Sequence, residues 1–190
     1  MLGQILNFLL DTIFGFFVFV LLTRFYLQLM RAPFHNPLGQ FVIALTNWLV
    51  LPARRFIPGL FGKDLSSFVL AWLIEALLLL LLYLLRGGGL HSAPGAALGI
   101  FFSLSLLELV RISIYLLIGV ILIQAVISWI NPYAPLAPLF NALSAPFLRP
   151  FRRLIPPIGN VDLSPLFVLV IAQLLLIPLE YLARSLSALF

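Results

Sequence analysis

A chain of 190 residues ordinarily makes one domain or two small ones, but here 63% of the residues are hydrophobic and only 9% are charged. An average soluble domain is roughly 45–50% apolar and about 25% charged, so this composition, with its mean hydropathy of +1.19, excludes a water-soluble globule and indicates an integral membrane protein. The net charge of +5 rests on only 11 basic residues, and the absence of cysteine excludes disulfides, thiolate metal sites, thiol catalysis and thioether attachment of haem.

Four segments have the ~20 apolar residues needed to cross a bilayer. The first runs from about Gln4 to Met30. It is not expected to be a cleaved signal, because no Lys or Arg precedes it and no small-x-small site follows. Its Gln4, Asn7 and Asp11, at helical spacing, suit contacts with other helices, and Arg24 lies near its far end. A short apolar stretch, 37–52, opens with Pro37 and is too short to span. With Asn36, Gln40 and Asn47 on roughly one face and Trp48 at headgroup depth, it reads as an interfacial helix. Arg54 and Arg55 end it, and Pro58 and the glycines of the link allow a tight turn into Asp64-Leu65-Ser66.

The second span, about Leu65 to Leu85, carries Glu75, and Gly87-Gly88-Gly89 forms a turn after it. Ser92-Ala93-Pro94 then makes a good helix start, and nothing breaks the helix before Asn131-Pro132. The third span therefore ends at Ile130 within a helix of ~37 residues, about 55 Å long, which must tilt, bend or project. Glu108 and Arg111 within it suit an i,i+3 pair. A second interfacial stretch, 135–150, has Asn141 and Ser144 as its main polar positions, and Arg149, Arg152 and Arg153 follow. The last span, about Leu163 to Ala183, contains Pro178, which is expected to kink it, and a Glu180–Arg184 i,i+4 pair.

The chain repeats itself. A shift of 98 residues lays PARRFIPGLFGKDLS (52–66) over PFRRLIPPIGNVDLS (150–164), an RR-x-IP-x5-D-L-S string at one offset. This divides the chain into a first repeat (1–86), an outer linker (87–95) and a second repeat (96–190). The fold expected is an all-α membrane protein with four spans in two parallel repeats. Arg31, Arg54, Arg55, Lys63, Arg149, Arg152 and Arg153 place seven of the eleven basic residues in the two links. Lys and Arg in short loops mark the cytoplasmic side, which puts both links there and both termini outside. A fifth span at Pro94–Leu107 would separate the links and is too short to cross.

The Arg pairs suit anionic headgroups, each basic residue contributing about 1 kcal/mol near such a surface. The Asp residues suit helix capping, with the Arg pairs close enough in sequence to bond to them. Topology signal plus cap accounts for the motif; a docking site for lipid or protein is the sharper alternative. Inside the membrane, an unpaired charge costs at least ~2.5–3.5 kcal/mol. Arg24 and Glu75 lie ~10 Å and ~16 Å inside by helical rise, which predicts an ion pair between the first two spans. At the repeat positions stand Leu122 and Gln173; Gln124 near that depth predicts an amide pair with Gln173. Plain interhelical contacts, or Arg24 reaching alone for the interface, are the simpler alternative to a polar path.

Enzyme chemistry lacks its parts. His35 and His91 fall on opposite sides, no ligand-spaced cluster exists for a metal, and no nucleophile has a nearby base. Asp11, Asp64 and Asp162 fall near span ends, unsuited to intramembrane proteolysis. No cofactor and no nucleic-acid partner is expected; membrane lipids, a protein partner and a second copy of the chain are the partners the pattern allows.

The duplicated P-x-RR-x-IP…D-x-S string after an amphipathic stretch resembles the YggT (YlmG) family in its two-repeat form. The resemblance covers roughly 15–85 and 110–183. It carries over onto Pro52, Arg54, Arg55, Ile57, Pro58, Asp64 and Ser66, and onto Pro150, Arg152, Arg153, Ile155, Pro156, Gly159, Asp162, Ser164 and Pro165. The first half departs at Ser67, where the family has Pro, and at Lys63, so the second half is the better candidate for a partner site. The resemblance implies a small multi-pass protein of bacterial or plastid membranes without known catalytic activity. Family members are linked to cytochrome haem maturation, cell division and nucleoid distribution, and osmotic tolerance. It points to a scaffold or assembly factor in the bacterial plasma membrane. A small channel or osmolyte transporter using Glu75 and Arg24 is the alternative.

Overall fold

The computed structural model describes residues 1–55, 57, 65–88, 94–154 and 162–188. Among the described residues six helices follow in order: α1 (Leu2–Leu29), α2 (Pro37–Ala53), α3 (Ser66–Leu85), α4 (Pro94–Ile130), α5 (Ala137–Leu154) and α6 (Ser164–Ser187). The described residues contain no strand. Helices α1, α3, α4 and α6 are long and apolar enough to cross a membrane, which gives a multi-pass, all-α membrane protein. The 37 residues of α4 form one uninterrupted helix, as its unbroken sequence requires. The capping expected of Ser92 lies outside the described residues.

Helix α3 packs between α1 and α4, while α6 packs on α4 and α5. Each short helix lies across the two spans that it joins, α2 on α1 and α3, and α5 on α4 and α6. Four crossings in succession bring both basic links to one end of the bundle. Lipid tails are as apolar as leucine, so burying side chains does not by itself drive spans together; close packing and polar contacts do. The main buried cluster joins Val18, Leu21 and Leu22 of α1 to Val50, Ala71, Leu109 and Leu143. A smaller one, Ile121, Leu148 and Val168, fastens α4, α5 and α6. Both spans that follow a link begin on fully buried serines, Ser66 and Ser164, whose small size lets the backbones approach.

The chain reverses after α1 and α3 by the same device. The N–H of Ala32 reaches the Leu27 carbonyl at 2.9 Å and that of Gly88 reaches Tyr83 at 3.1 Å. Such a reversal needs one residue at positive φ. Gly87 supplies it at φ 82° in the expected glycine turn, but Arg31 occupies it after α1, at φ 52°.

Three expectations need correction. The interfacial helix of the second half begins at Ala137, not Pro135, and runs through Pro146 and Pro150 to Leu154. Each proline removes one backbone donor, which is tolerable here because both lie on an exposed face. The polar face Gln4, Asn7 and Asp11 is not buried in the core of the bundle. Gln4 and Asp11 are exposed and Asn7 only half-buried, and every buried residue of α1 lies from Val18 onward. Finally, Gln173 is exposed on α6 beside outward-facing Val170, Leu174 and Ile177.

Candidate functional site

The link end of the bundle is built by tethering each interfacial helix to the span before it. In the first half, Asn36 caps α2, its Oδ1 accepting the Gly39 N–H at 2.8 Å. Gly39 is required by contact, since a Cβ there would stand 2.7 Å from the Phe34 carbonyl oxygen. This start lays α2 back along the end of α1. Arg24, five residues before that end and 4% exposed, donates through Nη1 to Thr46 Oγ1 at 2.6 Å and Asn47 Oδ1 at 3.0 Å. Thr46 is itself 1% exposed and its hydroxyl donates to the Val42 carbonyl at 2.6 Å. A guanidinium within a membrane-length helix is thus bound through Nη1 by an interfacial helix.

The second half repeats the tether in neutral form. Gln124, six residues before the end of α4 and buried, donates through Nε2 to Asn141 Oδ1 on α5 at 2.7 Å. The predicted amide pair with Gln173 is therefore not formed, because Gln173 faces outward. The predicted Arg24–Glu75 ion pair is not formed either. The charged groups acting on Glu75, which is 3% exposed, are Glu108, Asp11 and Arg111. Arg111 bonds to Glu108 at 3.3 Å, as its i,i+3 spacing anticipates, and its guanidinium lies over the Tyr115 ring. The Glu180–Arg184 pair also forms, at 3.4 Å.

The motif residues fall at the same end. Pro52, Arg54 and Arg55 are exposed at the close of α2, and Ser66 Oγ donates to the Ile57 carbonyl at 3.3 Å, tying link to span. Pro58, Lys63, Asp64, Ile155, Pro156 and Gly159 lie outside the described residues. In the second half the link is braced by Asp162. Its Oδ2 accepts from Arg152 Nε at 2.7 Å and its Oδ1 accepts the Ser164 N–H at 2.9 Å. Partial burial alone would raise the Asp162 carboxyl, but its contacts with Ser164 and Arg152 outweigh this and hold it below the ordinary carboxylate range. The Arg–Asp bond read from the motif is present in the second half, and Asp162 accepts the first helical N–H from just before the cap residue, Leu163. Arg149 and Arg153 remain exposed, while Pro165 is buried. Ser67, in the place of that proline, is also fully buried, with an Oγ that finds no hydrogen-bond partner.

Sequence reasoning missed Thr46 as a tether residue and the role of Asn47. The available signal was a hydroxyl and an amide side by side in an otherwise apolar stretch, one loop away from a membrane arginine.

Comparison with known proteins is consistent with two repeats. The family model described as CCB3/YggT matches residues 3–85 and 103–183. An uncharacterised protein of Pseudomonas aeruginosa is 37% identical over 170 residues, covering 88% of this chain and 84% of that protein. A Vibrio alginolyticus protein from the proC 3′ region, also uncharacterised, is 34% identical over 166 residues, covering 87% and 88%. The uncharacterised YggT protein of Escherichia coli K12 is 30% identical over 167 residues, covering 87% and 84%. No solved structure matches. With both repeats matched and relatives alike along most of their length, this chain belongs to the CCB3/YggT family.

Proposed function

We propose that the protein is a non-enzymatic scaffold or assembly factor of the bacterial plasma membrane. Its two basic links face the cytoplasm and both termini lie outside. The observation that carries this reading is the bracing of the second link. Arg152 is locked to Asp162 at 2.7 Å, and Arg149 and Arg153 stand exposed beside it. A cationic surface at the membrane plane suits anionic headgroups and an acidic face of a protein partner. Affinity capture of the full chain from bacterial membranes tests it. A stoichiometric partner retained by the parent and lost from Arg152→Ala/Arg153→Ala supports the scaffold; capture unchanged by the double substitution contradicts it.

A channel or small-solute transporter is the second reading, favoured by the burial of Glu75 with Asp11, Glu108 and Arg111 as charged neighbours. Intramembrane ionisable groups commonly mark ion or substrate paths. Ion flux in liposomes that disappears in Glu75→Gln would establish it over the scaffold.

A further inference from the structure

We propose that the groove between α4, α5 and α6 binds one chain of an anionic phospholipid, whose phosphate is held by Arg153 and Arg149. Two adjoining cavities of about 300 and 290 Å³ share Ile114, Leu117, Phe147 and Leu175. The second runs along α6 from Val168 to Leu175, about 10 Å of helix, the first continues inward to Tyr26, Met30 and Phe68, and their walls are almost wholly apolar. Ser113, one of the few polar residues there, donates its hydroxyl to the Leu109 carbonyl at 2.6 Å, so the groove offers water few partners. Ile171 and Leu175 line it yet are 42% and 52% exposed, so one side opens outward from the bundle. In a bilayer, what lies outside at that depth is acyl chain, which fits the groove in shape and polarity.

The headgroup preference comes from α5. Pro146 and Pro150 line the groove, and Arg153 follows at i+7 from Pro146, on the same side of the helix. Arg149 stands one turn before Arg153. Arg152 turns instead to Asp162, which leaves Arg149 and Arg153 exposed, with no hydrogen bond to another described residue. Apolar walls ending at two exposed guanidiniums describe a chain-and-phosphate site, and Arg geometry suits phosphate. This inference rests on the basic links lying at a membrane surface. It does not depend on which surface, nor on any protein partner.

Native mass spectrometry of the full chain in detergent, titrated with phosphatidylglycerol and separately with phosphatidylcholine, tests it. The parent is expected to retain one phosphatidylglycerol in preference to phosphatidylcholine. Arg149→Gln/Arg153→Gln, both at exposed positions, should weaken phosphatidylglycerol by about 5-fold per arginine and phosphatidylcholine, whose choline offsets its phosphate charge, by less. Leu175→Trp, which fills the groove from an exposed position, should lose both lipids. If that variant does not fold, the arginine comparison decides alone. Undiminished phosphatidylglycerol binding by the double variant overturns the proposal. So does an equal loss from Arg55→Gln in the first repeat, which would show diffuse charge attraction. Because binding is read in detergent, failure here leaves the scaffold reading standing, and failure of partner capture leaves this site standing.

Discussion

The two halves fasten the same part of the fold with different chemistry. The first ties α2 to α1 through a buried guanidinium, Arg24 to Thr46 and Asn47. The second ties α5 to α4 through one neutral amide pair, Gln124 to Asn141. What the repeats share is a placement: a polar donor about a turn and a half before the end of the span, reaching for the interfacial helix. A charged donor binds more strongly but is far costlier to strand in lipid than an amide. The first half is therefore expected to be the stiffer and more mutation-sensitive one. The second half braces its link separately, through Arg152 and Asp162.

This difference is open to attack by substitution, with stability read from denaturant unfolding in mixed micelles. Arg24→Leu removes two charge-assisted bonds from a buried site and should cost about 3 kcal/mol. An effect no larger than that of the Gln124 variant below would erase the distinction between the halves. Asp162→Asn should cost about 1–2 kcal/mol, combining a helix-start acceptor with a partly exposed ion pair. Because the folded Asp162 carboxyl lies below its unfolded value, its contribution is complete above the ordinary carboxylate range near pH 4. It is lost as pH falls through the folded value. Parent and variant should therefore differ most at neutral pH and converge in acid; a gap that persists in strong acid would show that Asp162 acts otherwise.

Gln124→Leu should cost only about 0.6 kcal/mol, the usual size of an interhelical hydrogen bond in a membrane. Ser67→Pro is the smallest change and runs the other way. It copies Pro165 of the second half, suits a first helical turn, and removes an unpartnered buried hydroxyl, so it should stabilise by about 0.5 kcal/mol. Destabilisation would mean that the Ser67 N–H or hydroxyl is needed in a way its second-half counterpart is not.

Much of the architecture was legible because lipid imposes simple rules. Span number, the uninterrupted α4 and the paired links follow from apolar length, the lack of breakers and the RR-x-IP string. The Arg152–Asp162 and Glu108–Arg111 bonds were legible as well, being set by nearby sequence. What was not legible is which way each span faces. A helix that is apolar all round carries no phase in its sequence, so nothing signalled that Gln173 turns outward or that Gln4 and Asp11 stay exposed. Depth counting failed for Arg24 in a related way. It compares positions along spans and omits a helix lying across their ends, and Thr46 and Asn47 sit on that helix. The seam between α4, α5 and α6, with its apolar groove, arises from three separate segments and has no trace in any one of them.

Arg24 belongs to the interfacial helix and not to Glu75. A pair of double-mutant cycles, Arg24→Leu with Asn47→Ala and Arg24→Leu with Glu75→Gln, tests it most directly. A coupling of about 1 kcal/mol or more is expected for Arg24 with Asn47, and additivity within roughly 0.5 kcal/mol for Arg24 with Glu75. Strong coupling to Glu75 with none to Asn47 would contradict it.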